Sequence, residues 1–154
     1  MNQLLRHTVA TVAYRGERAL AGVPPEFAEF RLDSTSRTPA EILAHMGDLF
    51  DWALSVAQGR ERWHDSKPLA WDREVERFFA ALSAFDARLA DATPLGAPAE
   101  RLFQGPIADA LTHIGQLAML RRVAGCRTRG ENFFVAGIEM GKVGLEQARP
   151  VKQF

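Results

Sequence analysis

Two histidines and one aspartate interrupt apolar stretches of the chain at positions that suit a metal site. His45 lies in PAEILAHMGDLF and His113 in IADALTHIGQLAML, and apolar residues dominate both segments. On an α-helix with about 100° per residue, each histidine falls among apolar neighbours, so both rings are expected to face the interior. Asp109 precedes His113 by four residues, so both side chains reach one point beside a helix. Two histidines and one carboxylate bind zinc, nickel or ferrous iron and leave coordination positions open for water or substrate.

The same residues also fit a structure without a metal. A buried hydrogen-bond network, with Asp109 on His113 and Asp48 on His45, would fix the register of the helices. The chain would then be a non-catalytic helical bundle that binds a small apolar ligand or a protein partner. The residues alone leave both interpretations open.

Three more residues are predicted to lie beside this set: Asp48, Trp52 and Gln116. Asp48 would orient a histidine, or it would be a solvated aspartate. Gln116 would donate to a bound substrate, or it would make a hydrogen bond between helices. Trp52 would line the pocket, about one turn from Gln116 if the two helices face each other.

The composition favours an all-α protein. Among 154 residues, 24 are alanine and 16 are leucine, against 9 valines and 4 isoleucines. Straight-chain residues lose little side-chain freedom in a helix, whereas β-branched residues lose more. The single cysteine, Cys126, excludes an internal disulfide and a cysteine-based zinc site.

The charge and hydropathy of the chain limit its partners. Nineteen basic residues balance nineteen acidic ones, which gives no basic footprint for nucleic acid and no polybasic segment for lipid. The sequence contains neither the apolar core of a signal peptide nor a long apolar run, so no membrane segment is expected. We therefore expect a cytoplasmic protein with neither nucleic acid nor membrane as a partner. The open coordination positions of the metal site would take a small-molecule substrate.

Helical periodicity predicts four helices, over about 2–20, 39–59, 71–91 and 105–125. The second has a strong start signal, Thr38-Pro39-Ala40-Glu41, and the fourth is expected to start at Gly105-Pro106. On the third helix, the charged residues are predicted to lie opposite the apolar face: Arg73, Glu76, Arg77 and Arg88. The prediction is one four-helix-bundle domain, 1–154, with a long first crossover and a mostly irregular C-terminal tail. In that crossover, Phe27, Phe30 and Leu32 are expected to pack onto the core.

Two phrases, TPAEILAHMGDLFDWAL and ADALTHIGQLAMLRR, resemble the DinB/YfiT-like superfamily of four-helix-bundle metalloenzymes. The resemblance runs from the first helix through the fourth. It implies a divalent metal held by three histidines, one from the second helix and an HxxxH pair from the fourth. His45 matches the first of these and His113 the last, whereas Asp109 stands at the middle position.

The resemblance also implies an activity. Relatives include metal-dependent transferases that act on small cellular thiols and an isomerase that uses a thiol cofactor. The implied cofactor is a divalent ion, zinc or nickel first and iron or manganese as alternatives. Such an ion binds a thiol as the thiolate and lowers its pKa. The implied partners are a low-molecular-weight thiol and a second copy of the chain in a homodimer.

Overall fold

The computed structural model describes residues 2–154, which form five α-helices and no β-strand. The helices are α1 (Gln3–Leu20), α2 (Pro39–Ala57), α3 (Trp71–Ala90), the single-turn α4 (Ala99–Leu102) and α5 (Ala108–Val123). A π-helical turn, Phe103–Ile107, joins α4 to α5, so these two form one arm of the bundle. Short 3-10 turns lie at Pro25–Glu29 and Phe133–Val135. The predicted all-α four-helix bundle is confirmed. None of these helices is long and apolar enough to cross a membrane.

Local sequence explains where α2 begins. The Thr38 side chain accepts a hydrogen bond from the Glu41 backbone N–H at 3.2 Å, and the Glu41 carboxylate accepts from the Thr38 N–H at 2.7 Å. This reciprocal capping box satisfies two backbone donors that the first turn leaves free. Pro39 fills the first helical position, which needs no N–H donor.

The predicted start of the fourth helix was wrong by about six residues. Helical structure begins at Ala99, and Pro106 lies inside the π-helical turn. A proline within an α-helix removes one backbone hydrogen bond and crowds the preceding turn. The wider π-helical turn accommodates this change, and the arm continues through Pro106.

Contacts along the helices fix their relative directions. α1 runs antiparallel to α3, since Asn2 Nδ2 donates to the Leu89 carbonyl at 3.3 Å near the far end of α3. α2 runs parallel to α3, since Arg77 Nη2 donates to the Ala44 carbonyl at 2.6 Å and the C-terminal end of α2 lies near the residues after α3. α1 packs mainly against α3 and α5, so it lies diagonally across from α2. The first crossover therefore spans the end of the bundle.

Parallel neighbours need a connection that runs the full length of a helix, and residues 58–70, here called the return loop, provide it. The loop runs back along α2 from its end toward its start. Arg62 N donates to Ser55 Oγ at 2.9 Å, and Ser66 N donates to Asp48 Oδ2 at 2.8 Å. Leu69 N then donates to Glu74 Oε2 at 2.8 Å at the start of α3. The loop thus covers the face of α2 that leads to His45.

The core is built on aromatic contacts between α2 and α3. The Phe50 ring lies 6.0 Å from Phe78 and 5.9 Å from Phe85. In the first crossover Phe27 is buried as predicted, whereas Leu32 is 58% exposed, so its predicted packing onto the core was wrong. Leu32 lies in a bend stabilised by polar side chains, which leaves it on the surface.

Candidate metal centre

α2 and α5 bring His45, Asp109 and His113 together. His45 Nε2 lies 3.5 Å from Asp109 Oδ2, and His113 Nε2 lies 3.5 Å from Asp109 Oδ1. The imidazole rings are perpendicular, at 86°, with centroids 4.9 Å apart. One ligand atom from each residue lies within 4.8 Å of the others. Asp109 and His113 share a face of α5 because they are four residues apart.

The imidazoles and the carboxylate lie too far apart for normal hydrogen bonds. A normal N–H···O hydrogen bond spans about 2.7–3.2 Å, shorter than either imidazole–carboxylate distance. The two 3.5 Å separations end on different oxygens, His45 on Oδ2 and His113 on Oδ1, so each oxygen of Asp109 faces one imidazole. With one ligand atom from each residue within 4.8 Å of the others, the two imidazoles and the carboxylate can hold a divalent ion.

Gln116 orients the His113 ring. His113 Nδ1 lies 2.8 Å from Gln116 Oε1, one helical turn further along α5. An amide oxygen only accepts hydrogen bonds, so Nδ1 carries the proton and donates. Nε2 of the neutral ring then keeps its lone pair and faces Asp109. Such a partner on the remote nitrogen fixes the tautomer of a metal-binding histidine.

The surroundings of His45 disfavour its protonated form. Burial lowers the pKa of His45 below its usual value, and repulsion between protonated His45 and the cationic forms of His113 and Arg37 lowers it further. The Asp109 carboxylate opposes this shift. A histidine must be deprotonated to bind a metal, so the lowered pKa favours the binding form at neutral pH.

The site is closed on one side and open on the other. The His113 side chain is 11% exposed and that of His45 is 21% exposed, whereas that of Asp109 is 46% exposed. Trp63 of the return loop covers His45, with ring centroids 5.7 Å apart. Solvent and ligands therefore reach the three residues past Asp109.

Two cavities flank the three residues. One, of about 450 Å³, is lined by His45 and by polar residues of the first crossover and the return loop. The other, of about 700 Å³, is lined by His113, Gln116 and a set of apolar residues: Leu32, Ile42, Met119 and Leu120. Ser36 and Arg37 line both. The arrangement gives a small molecule room beside the histidines.

A second group of possible ligands, Asp48, Asp51 and His64, has different surroundings. Arg77 Nη1 lies 3.0 Å from Asp48 Oδ1 and 3.3 Å from Asp51 Oδ2. His64 bridges the same two carboxylates, at 3.2 and 3.3 Å. The guanidinium already supplies the positive charge that a metal would bring. We therefore assign this group to an ion-pair network and the His45 group to the candidate metal centre.

Asp48, Trp52 and Gln116 were predicted to lie beside the site. The structure gives each of them a different role. Gln116 contacts His113 directly. The Trp52 ring packs on the Trp63 ring, with centroids 6.1 Å apart. Trp63 in turn packs on His45, so Trp63 connects Trp52 to the site. Asp48 is buried and lines the smaller cavity, but its hydrogen bonds go to Arg77 and to Ser66, not to His45. The alternative network that paired Asp48 with His45 does not form.

Two residues near the site were not found from the sequence. Arg77 was predicted to lie on the outer face of α3, but its guanidinium points inward to Asp48 and to the fully buried Glu74. The correct signal was the three-residue spacing of Glu74 and Arg77, which places them side by side. Arg37 lies in the first crossover, where no periodicity indicates which way a side chain points.

Comparisons of the chain with protein-family models, with curated proteins and with solved structures found no match. The functional assignment therefore depends on the geometry of the site and on the resemblance of its two motifs.

Proposed function

We propose that the chain is a divalent-metal-dependent enzyme of the DinB-like type, with His45, Asp109 and His113 as the metal ligands. The observation that carries the proposal is the convergence of these three ligand atoms within 4.8 Å. Zinc or nickel is the first candidate for the ion, with iron or manganese next. The bound ion would supply a site that takes a small cellular thiol as the thiolate, for transfer or isomerisation.

Residues of the chain prepare the site for this chemistry. Gln116 holds the Nδ1 proton of His113 and turns Nε2 toward Asp109. Trp63 shields His45 from water on the side of the return loop. Asp109 contributes a negative charge, which offsets part of the charge of a divalent ion. The exposed side of Asp109 leaves an approach for a substrate.

Elemental analysis of tag-free protein tests the metal. We expect about one divalent ion per chain, and we expect His45→Ala and His113→Ala to lose it, because each removes one of only three ligands. His7→Ala is the matched control, since His7 is exposed on α1, belongs to neither group of possible ligands and lines neither cavity beside the site. Wild-type protein without a stoichiometric ion, after growth with zinc, nickel, iron and manganese, would refute the proposal.

Thermal melting distinguishes the metal site from a purely structural network. An ion that binds only the folded chain at 100 times its dissociation constant adds about 2.7 kcal/mol of stability. For a domain of this size that raises Tm by about 5–11 °C. We expect this rise in wild type and none in His113→Ala. If the added ions leave Tm unchanged in both, and the variant is merely less stable, the non-catalytic bundle is the better description.

Cobalt-substituted protein tests the thiol step. Addition of 2-mercaptoethanol should produce the near-ultraviolet absorption of a thiolate bound to cobalt, because a divalent ion favours the deprotonated thiol. The matched addition of ethylene glycol should produce no such band. A spectrum that does not change with the thiol, in protein shown to hold one cobalt, would contradict thiol chemistry and leave the metal assignment intact.

A further inference from the structure

The cavity beside His113 has two contrasting parts. Ile42, Met119, Leu120 and Leu32 give it an apolar wall, and Arg37 stands at one edge, where the smaller cavity adjoins it. Leu32 is 58% exposed and Met119 is 60% exposed. Large apolar side chains that line a concave surface and stay open to solvent are typical of ligand-binding grooves.

The charge of Arg37 has no partner within the described part of the chain. Its guanidinium makes no hydrogen bond and lies within 4 Å of no carboxylate there. One carboxylate that lines the smaller cavity, Glu41, is already engaged, since it caps α2 through Thr38 and lies 3.5 Å from Arg31. Both oxygens of Asp109 face the histidines instead.

An arginine in this position selects for an oxyanion. A guanidinium presents several N–H donors in one plane, and this fork matches the two oxygens of a carboxylate. His45 lines the smaller cavity with Arg37, and His113 lines the larger one with the apolar wall. A ligand that fills this space needs an anionic group at Arg37 and an apolar body against that wall.

We propose that the cavity between α2, α5 and the first crossover binds a small carboxylate with an apolar body, held by Arg37 through its carboxylate and by Ile42, Met119 and Leu120 through its body. The proposal names the substrate class of the candidate metal centre and in that respect rests on the proposed function. The carboxylate site itself is formed by Arg37 and needs no ion.

Calorimetric titration with hexanoate and with its neutral counterpart hexanamide tests the proposal. The full chain is titrated twice, after loading with zinc and after treatment with EDTA. Hexanoate should bind in both states and more tightly than hexanamide. Arg37→Gln should weaken hexanoate binding about tenfold, because one charge-assisted interaction is lost. Met119→Glu should weaken hexanoate more than hexanamide, because it places a negative charge in the apolar wall.

Arg31→Gln is the matched control, since Arg31 lines only the smaller cavity and is paired with Glu41. It should change the affinity for hexanoate less than twofold. Equal affinities for hexanoate and hexanamide would overturn the proposal, and so would an Arg37→Gln variant that binds like wild type. Hexanoate binding that disappears after EDTA treatment would assign the carboxylate to the ion and not to Arg37. A wild-type chain that binds hexanoate but no metal would refute the proposed function alone.

Discussion

Replacement of Arg77 by methionine would test how the two ligand groups are distinguished. The guanidinium makes four described interactions: with Glu74 Oε1 at 2.6 Å, Asp48 Oδ1 at 3.0 Å, Asp51 Oδ2 at 3.3 Å and the Ala44 carbonyl at 2.6 Å. Methionine fills a similar length with no charge and no donor. The substitution therefore leaves two buried carboxylates, those of Glu74 and Asp48, without their cation.

The expected loss of stability is large. Removal of one partner from a buried ion pair costs about 3–5 kcal/mol, because the other charge remains buried. Asp48 keeps the hydrogen bonds from Ser66, and Glu74 keeps the one from Leu69, which places the loss toward the lower end. For a domain of this size, 3 kcal/mol lowers Tm by about 6–12 °C.

Urea denaturation followed by circular dichroism measures the change in the free energy of unfolding. Arg73→Met is the matched control, because Arg73 is exposed on the same helix and its partner Glu76 lies 3.7 Å away. The control should stay within about 0.5 kcal/mol of wild type. A loss below about 1 kcal/mol in Arg77→Met would refute the view that Arg77 neutralises this network. A second metal ion in the wild-type chain, lost in His64→Ala, would refute it equally.

Three further outcomes are expected. Asp109→His should bind zinc at least as tightly as wild type in a competition titration with a chelator, because imidazole is a good zinc ligand; tenfold weaker binding would contradict the role of this position. In the metal-free protein, the free energy of unfolding should fall below about pH 6.5, because the lowered pKa of His45 means that the unfolded chain takes up the proton first. His45→Gln should remove that part of the pH dependence, and an unchanged slope would assign it elsewhere. Thr38→Ala should cost about 1 kcal/mol in urea denaturation through loss of the capping box, and Thr35→Ala, in the exposed bend before it, should cost less.

The helices could be predicted because their signals are local. Thr38, Pro39 and Glu41 specify the start of α2 within four residues, and the structure shows the expected capping box. The π-helical turn could not be predicted from the sequence. A proline at this position indicates the first turn of a helix, and only the structure shows that α4 precedes it. The prediction that Leu32 packs onto the core was wrong because it followed from the apolar side chain alone. Polar side chains hold the bend in which Leu32 lies.

The sequence predicts those parts of the candidate site that depend only on which face of its helix a residue occupies. His45 and His113 face the interior because their neighbours along each helix are apolar, and Asp109 follows from its four-residue spacing. Contacts that cross between elements needed the structure. Arg77 reaches α2 from α3. Arg121 likewise donates across the bundle to the Ala19 and Ala21 carbonyls at 3.1 and 2.7 Å, at the end of α1.

The return loop links the site to the dynamics of the chain. It contains no helix, and beyond residue 60 the hydrogen bonds described between it and α2 run through side chains: Ser55 with Arg62, Trp52 with Glu61, and Asp48 with Ser66. Segments with few backbone hydrogen bonds open at a lower free energy than the whole domain. Opening of the loop would lift Trp63 from His45 without separating α2 from α5. Amide exchange at residues 62–66 should then be faster than in the core helices, and the rate at which a metal leaves should follow the opening of this loop and not global unfolding.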